Sequence, residues 1–169
     1  MLTIRPERSD DAAAIHEVHR AAFPTEAEAK LVDRLRENGH SPVSLVAEEG
    51  HRIVGHVLFS PVTIAGMNDT SGLGLAPIAV IPTRQRQGVG SRLIEEGLAV
   101  CRRTGVPFVV VLGDPAFYHR FGFQRASTLG LSNEYGVDDE FMVLELSPNA
   151  IPAAGGLVTY GPEFALLAE

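Results

Sequence analysis

Residues 84–91 read Arg84-Gln85-Arg86-Gln87-Gly88-Val89-Gly90-Ser91, with two glycines one residue apart in a cationic setting. The chemistry open to such a run is the holding of an anion. An apolar strand-like stretch, Leu75 to Ile81, precedes it, and a helical run from Gly88 to about Arg103 follows. At a strand-to-helix junction glycine lets consecutive amides turn toward one point, because no Cβ stands in the way. The new helix adds its unpaired N–H donors and the positive end of its dipole, a combination suited to phosphate. Arg84, Arg86 and Arg92 supply cations on either side. A P-loop would need Lys followed by Ser or Thr after the second glycine, where Ser91-Arg92 stand, and a dinucleotide fingerprint would need a third small residue where Leu93 stands. A second glycine pair, Gly72-Leu73-Gly74, runs into Pro77 and cannot open a helix.

A second constellation lies downstream. Val109-Val110-Val111-Leu112 is a continuous apolar run, as expected of a strand buried on both faces. It ends at Gly113-Asp114-Pro115, and Ala116-Phe117-Tyr118-His119-Arg120-Phe121-Gly122-Phe123 follows. The spelling Gln85-x-x-Gly88-x-Gly90, preceded by Ile78-Ala79-Val80-Ile81-Pro82, resembles the acetyl-CoA loop of the GNAT acyltransferase superfamily. Tyr118, four residues ahead of Gly122-Phe123, resembles the superfamily's tyrosine on a short helix before the next strand. The family more often has Asn where this chain has Asp114. Glu26-Ala27-Glu28-Ala29-Lys30-Leu31-Val32, Gly55-His56-Val57-Leu58-Phe59-Ser60-Pro61-Val62 and Leu112-Gly113-Asp114-Pro115 are similar to one subgroup of small bacterial predicted acetyltransferases. The likeness runs from Leu2 to about Phe164.

The resemblance implies an α/β GNAT fold over residues 1–169 as one acyltransferase domain. Its mixed central sheet is splayed between the fourth and fifth strands and flanked by helices on both faces. Pro77 removes a ladder donor from its strand, which requires either an edge or a bulge there. The family carries a bulge, beyond which the backbone of Ile78, Ala79 and Val80 would pair with the pantetheine amides of acetyl-CoA. Arg86, Gln87, Gly88, Val89, Gly90 and Ser91 would hold the pyrophosphate, and no metal is expected. The implied activity is N-acetyl transfer from acetyl-CoA to a primary amine, with Tyr118 protonating the departing thiolate. The alternative is a non-catalytic acyl-CoA-binding sensor. Tyr118 has a second reading as a core aromatic beside Phe117 and Phe121, and its registration with Gly122-Phe123 favours catalysis.

The cofactor strand carries no carboxylate, so the general base falls to Glu26, Glu28 or His56. Glu26 and Glu28 open the second helix, where they equally suit its dipole. His56 lies on a strand, where packing is the alternative role. A lysine side chain is only about 0.1% neutral near pH 7.4, so the lack of an obvious base favours a small or weakly basic amine. His16 and His19, three apart on a helix, lack a third metal ligand and are expected as a surface pair. His40 and His51 are expected in solvent, and His119 points away from Tyr118. Cys101 sits on an apolar helical stripe with Val89, Leu93, Ile94, Leu98 and Val100, as a structural thiol. Gly97 in the same helix anticipates a close approach of helix to sheet.

These residues need elements to position them. Leu2 to Arg5 alternates as a strand, Ser9 or Asp10 caps a helix to about Ala22, and a second helix runs from about Glu26 to Glu37. Ser44–Ala47 and Ile53–Phe59 read as strands joined by a tight turn at Glu48-Glu49-Gly50-His51. A loop with Gly66-Met67-Asn68-Asp69 comes before the strand at Leu75–Ile81. Phe123–Ser127 and Phe141–Leu146 supply later strands with a loop between, and Leu157–Tyr160 an edge strand in the 148–169 tail. The 169 residues suffice for one sizeable core, with 45% apolar and 21% charged residues. A net charge of −7 argues against nucleic acid as partner. No apolar run reaches the ~20 residues of a membrane span, and no signal-peptide pattern opens the chain. One cysteine fits a reducing compartment. The reading is therefore a cytoplasmic protein, monomer or homodimer, acting on a small-molecule or peptide amine.

Overall fold

The computed structural model describes residues 1–67 and 72–168. Asn68 and Asp69 of the expected loop lie outside the described residues. Two compact units form from interleaved stretches of chain. The first takes Met1–Phe59, Pro77–Val100 and Pro162–Glu169; the second takes Ser60–Ala76 and Cys101–Gly161.

In the first unit, β1 (Leu2–Pro6) pairs antiparallel with β2 (Val43–Glu49), and β2 with β3 (Arg52–Ile64) as far as Phe59. Glu49 faces Arg52 across a two-residue turn, with Gly50 at φ 56° and His51 at φ 67°. Two successive positive φ values define the turn whose twist matches the strands it joins. Helix α1 (Ala12–Ala22) follows a 3-10 turn in which the Asp11 carboxylate, not Ser9 or Asp10, accepts the Arg8 amide at 2.6 Å. Arg5 donates to the same carboxylate at 2.7 Å and holds it below its usual pKa range. Helix α2 (Ala27–Glu37) stops at Gly39, where φ is 73° and the His40 amide reaches back to the Leu35 carbonyl at 2.8 Å. A 3-10 segment, Pro162–Ala168, packs on α2. Its buried Glu163 accepts from Asn38 Nδ2 at 2.9 Å and pairs with His40 Nδ1 at 2.6 Å.

Strand β3 has two working faces. A Cβ on Gly55 would lie 3.1 Å from Leu93 and 3.2 Å from Val89, and the Phe59 ring presses on Gly97, so this face packs against helix α3 (Val89–Arg103). His56 points the other way and meets His19 of α1. Helices therefore cover both faces, as the fold class requires.

Strand β4 (Leu73–Val80) belongs to the second unit as far as Ala76 and to the first from Pro77; its second-unit part pairs parallel with β5 (Phe108–Leu112) at Leu73↔Val109 and Gly74↔Val110. The pairing ends before Pro77, which is the expected splay between the fourth and fifth strands. β5 continues antiparallel to β8 (Phe141–Glu145), and β8 to the two-residue β6 (Gln124–Arg125). The strand expected to run on to Ser127 stops at Arg125. Ala126–Leu129 instead form a 3-10 turn, with Thr128 Oγ1 donating to the Arg125 carbonyl and Gly130 closing it at φ 79°. Within the expected loop lies a strand, β7 (Leu131–Asn133), parallel to β9 (Gly156–Tyr160); β9 also pairs with the end of β3.

The register of β3 on β4 bears on Pro77. Val62 N–H donates to the Gly72 carbonyl and Ile81 N–H to the Val54 carbonyl. These bonds are eight residues apart on β3 and nine apart on β4, so β4 holds one residue more than its partner. An extra residue on one strand of an antiparallel pair is a bulge, and here it falls in the segment that contains Pro77.

Gly97 shows how tight the α3 contact is. A Cβ there would lie 2.4 Å from the fully buried Phe59 ring. Alanine gains up to about 1 kcal/mol in helix propensity over glycine, but overpacking a core of this kind costs about 1–3 kcal/mol. Gly97→Ala should therefore lower the unfolding free energy in a denaturant titration, despite the better helix former.

Candidate functional site

The anion loop lies entirely within the first unit. After β4, Pro82–Arg84 make a 3-10 turn; Arg86 then takes φ 62° and Gly88 φ 85° before α3 begins. Left-handed backbone at a non-glycine residue such as Arg86 is uncommon and is held here by its neighbours. Gln85 Nε2 donates to the Val80 carbonyl at 2.9 Å and Gln87 Nε2 to the Thr83 carbonyl at 3.1 Å, so both glutamines staple the loop. The first bond of α3 runs from Arg92 N–H to the Gly88 carbonyl, leaving the Val89 and Gly90 amides at the open end of the helix.

The cations divide. Arg84 is committed to Glu49, with contacts of 2.6 and 2.7 Å, and Arg92 Nη1 donates to the Leu2 carbonyl at 3.1 Å. Arg86 is exposed and forms no ion pair with another described residue. Of the three arginines read as a cradle, Arg86 is the one left for an anion. The two glycines also differ in their reason for being there. Gly88 needs its positive φ, with nothing within 4 Å of a Cβ. Gly90 has no positive φ, and its Cβ would touch Val80 and Ile78 at an ordinary 3.9–4.0 Å. Among the described residues nothing requires glycine at residue 90. Ile78 and Val80 thus face the start of α3, while Ala79 is buried on the other side of β4.

Tyr118 belongs to the second unit, in the single turn α4 (Pro115–Tyr118). Asp114 caps that turn, its carboxylate accepting the Ala116 amide at 3.0 Å, a task Asn would perform equally well. The Tyr118 ring lies against Gly113, where a Cβ would come within 2.4 Å, and edge-on to Phe117 and Phe123. Burial pushes the phenol up to about 12, so it holds its proton throughout the neutral range. His119 turns away, and its Nδ1 donates to the Phe123 carbonyl at 2.9 Å. Cys101 is a buried thiol pushed up to about 11 by burial, consistent with a packing role.

The base candidates separate clearly. Glu26 is exposed and paired with Arg20 at 2.9 Å. Glu28 is half-buried, and its Oε1 has no hydrogen-bond partner among the described residues. His56 is fully buried and bound on both nitrogens. His40 is partly exposed and engaged with Glu163, and His51 stands in the β2–β3 turn.

A buried polar chain in the first unit escaped the sequence reading. His19, expected on the surface with His16, is completely buried, and its Nε2 lies 2.8 Å from His56 Nδ1. His56 Nε2 lies 2.8 Å from Ser44 Oγ, and Ser44 donates to Glu7 Oε1 at 2.6 Å. Arg36 closes on Glu7 at 2.6 Å and on Asp33 at 3.2 Å, and Asp33 meets His16 at 2.7 Å. The clue was present in the helix periodicity: His19 falls four residues after the buried Ile15, on the same face. Burial lowers His19 to about 4 and His56 well below its ordinary value, so both rings are neutral.

Residues 3–126 match the family described as Acetyltransferase (GNAT) domain. The chain belongs to the GNAT acetyltransferases. The uncharacterised N-acetyltransferase YhbS of Escherichia coli K12 is 40% identical over 96% of this chain and 98% of its own length. The crystal structure of E. coli YhbS with CoA superposes at TM-score 0.91, 38% identical, covering 97% of this chain and 92% of that one. A GNAT acetyltransferase from Brucella melitensis solved with acetyl-CoA gives 0.82 at 38% identity, covering 97% and 98%.

The histidine pair makes stability depend on pH. In the unfolded chain both rings bind a proton near pH 6.5, whereas in the fold both resist it. The unfolded state then binds more protons below pH 6.5. Stability is full above that value and falls as the pH drops through it toward 4, by at most about 1.4 kcal/mol per pH unit for each ring. Denaturant titrations between pH 7.5 and 4.5 should show this slope, and His56→Leu should flatten it.

Proposed function

We propose that this chain transfers the acetyl group of acetyl-CoA to a primary amine of a small molecule or peptide, working as one acetyltransferase domain in the cytoplasm. The observation that carries the reading is the loop at the start of α3. It combines open amides at Val89 and Gly90, an uncommitted Arg86 and a glycine at 90 that the protein itself does not require. A ligand that passes close to the backbone supplies the missing reason for Gly90. In this reading Arg86, Gln87, Gly88, Val89, Gly90 and Ser91 take the pyrophosphate. The backbone of Ile78, Ala79 and Val80, beyond the β4 bulge, takes the pantetheine arm. Because Gln85 already occupies the Val80 carbonyl, the Val80 amide is the group left to steady the developing oxyanion. The relatives solved with CoA and with acetyl-CoA support the choice of cosubstrate.

The reaction needs a neutral amine to attack the thioester carbon and a proton for the sulfur as the C–S bond breaks. Tyr118 serves as that acid. Its phenol, pushed up to about 12, is fully protonated at neutral pH, and the transfer is completed only as the tetrahedral adduct collapses. Loss of a general acid costs about 10²- to 10⁴-fold in rate.

Two variants test the reading with acetyl-CoA and a panel of amines. Gly90→Ala should melt no lower than the parent yet bind acetyl-CoA at least about tenfold more weakly, measured by calorimetry; unchanged affinity would remove this loop from the cofactor site. Tyr118→Phe should keep acetyl-CoA affinity while amine-dependent thiol release falls about 10²-fold or more. Equal rates would leave Tyr118 as a packing residue.

A further inference from the structure

The buried chain from Glu7 to His19 has a direction. Ser44 has one hydroxyl proton and donates it to Glu7, so toward His56 it can only accept. His56 must then carry its proton on Nε2 and accept at Nδ1, and His19 must donate from Nε2. These assignments leave a lone pair on His19 Nδ1, buried and without a partner among the described residues. Leaving such a group unsatisfied costs stability, so its persistence calls for a use. The chain also runs beside the proposed cofactor strand. The Ile81-to-Val54 hydrogen bond sets β3 against the end of β4, which places His56 directly across from Ala79.

We propose that Glu7, Ser44, His56 and His19 form a one-way proton relay that takes the proton of the acceptor ammonium at His19 Nδ1. The proposal rests on the N-acetyl transfer reading above. In the transfer an N–H bond of R–NH3+ breaks and Nδ1–H forms on His19. The His19 Nε2 proton passes to His56 Nδ1, the His56 Nε2 proton passes to Ser44 Oγ, and the Ser44 proton passes to Glu7 Oε1. One ammonium and one carboxylate become one neutral amine and one carboxylic acid, and no buried ring ends with a charge. The freed nitrogen pair then attacks the thioester carbon. Glu7, at the half-buried end of the chain, returns the proton to solvent, and each ring regains its starting tautomer by proton exchange with water, losing the proton on Nδ1 and taking one on Nε2.

The charged groups packed around the relay suit this direction. Burial disfavours an imidazolium at either ring; Arg36 of α2 adds to this at both, while at His19 Asp33 of α2 opposes it and His16 of α1 reinforces it. A proton is thereby driven through rather than stored. Phe23, the residue after α1, stacks parallel on the face of the His19 ring with centroids 6.0 Å apart and leaves the in-plane Nδ1 lone pair to its own direction.

The test measures CoA thiol release from acetyl-CoA with propylamine, a strong base, and trifluoroethylamine, a weak one, in the parent, Ser44→Ala and His19→Gln. The relay predicts that both variants lose at least about tenfold in kcat/KM with propylamine but less than about threefold with trifluoroethylamine, which is already neutral. The propylamine defect should shrink toward alkaline pH. Acetyl-CoA affinity and melting temperature report folding, and Ser44→Ala, at a half-buried position, carries the test if His19→Gln does not fold. Nitrogen-15 spectra of the imidazoles give a second readout, with both rings expected as the Nε2–H tautomer at pH 7. Equal losses with both amines, no loss with either, or an Nδ1–H tautomer in either ring would overturn the relay and leave acetyl transfer intact. Should the parent bind acetyl-CoA yet release no thiol with either amine or with a lysine-containing peptide, the acetyl-transfer reading falls and the relay with it.

Discussion

How closely α3 can lie on β3 governs the rest of the first unit. Gly97 admits the Phe59 ring, and Gly55 admits Leu93 and Val89, so at two points a side chain of one element rests on bare backbone of the other. That contact fixes the helix axis and hence the place where its first amides emerge. Gln85 and Gln87 then have only short distances to cover in stapling the loop to Val80 and Thr83. An anion site made of backbone amides cannot adjust its own donors, so its accuracy is inherited from this packing.

Much of this arrangement was legible in the residues. The Gly88-Val89-Gly90 junction, the early end of pairing near Pro77 and the tight approach at Gly97 each follow from a local rule about glycine or proline, and such rules do not wait for tertiary structure. The arginines were less legible. Arg84 and Arg92 look identical to Arg86 in a sequence, and only the fold brings Glu49 and the Leu2 carbonyl to them. β7 was missed because its three residues are too few to show alternation, and Ala126 and Ser127 were misassigned because a 3-10 turn has no distinct hydrophobic period. The histidines were the instructive failure. Pairing His16 with His19 by spacing ignored that residues three apart straddle the edge of a buried face, so one ring meets Asp33 near solvent and the other meets His56 in the interior.

Titratable groups sort by depth. His19, His56, Tyr118 and Cys101 are all displaced toward their neutral forms by burial. Charges are kept at the margins as pairs, Arg5 with Asp11 and Glu48, and Arg36 with Glu7 and Asp33. Neutral interiors and paired rims are what a low-dielectric medium demands. They also leave proton donors and acceptors that act without a lasting buried charge.

The clasp of Glu163 by Asn38 and His40 has a consequence for biogenesis. The first unit contains both the amino-terminal residues and Pro162–Ala168, so its seam on α2 is sealed by a segment made after the whole of the second unit. During translation α1, α2 and the first strands emerge early but must wait, with part of α2 uncovered, for the tail to arrive. A nascent chain of this design keeps part of its apolar surface open until Pro162–Ala168 have been made, so the first unit closes late in synthesis.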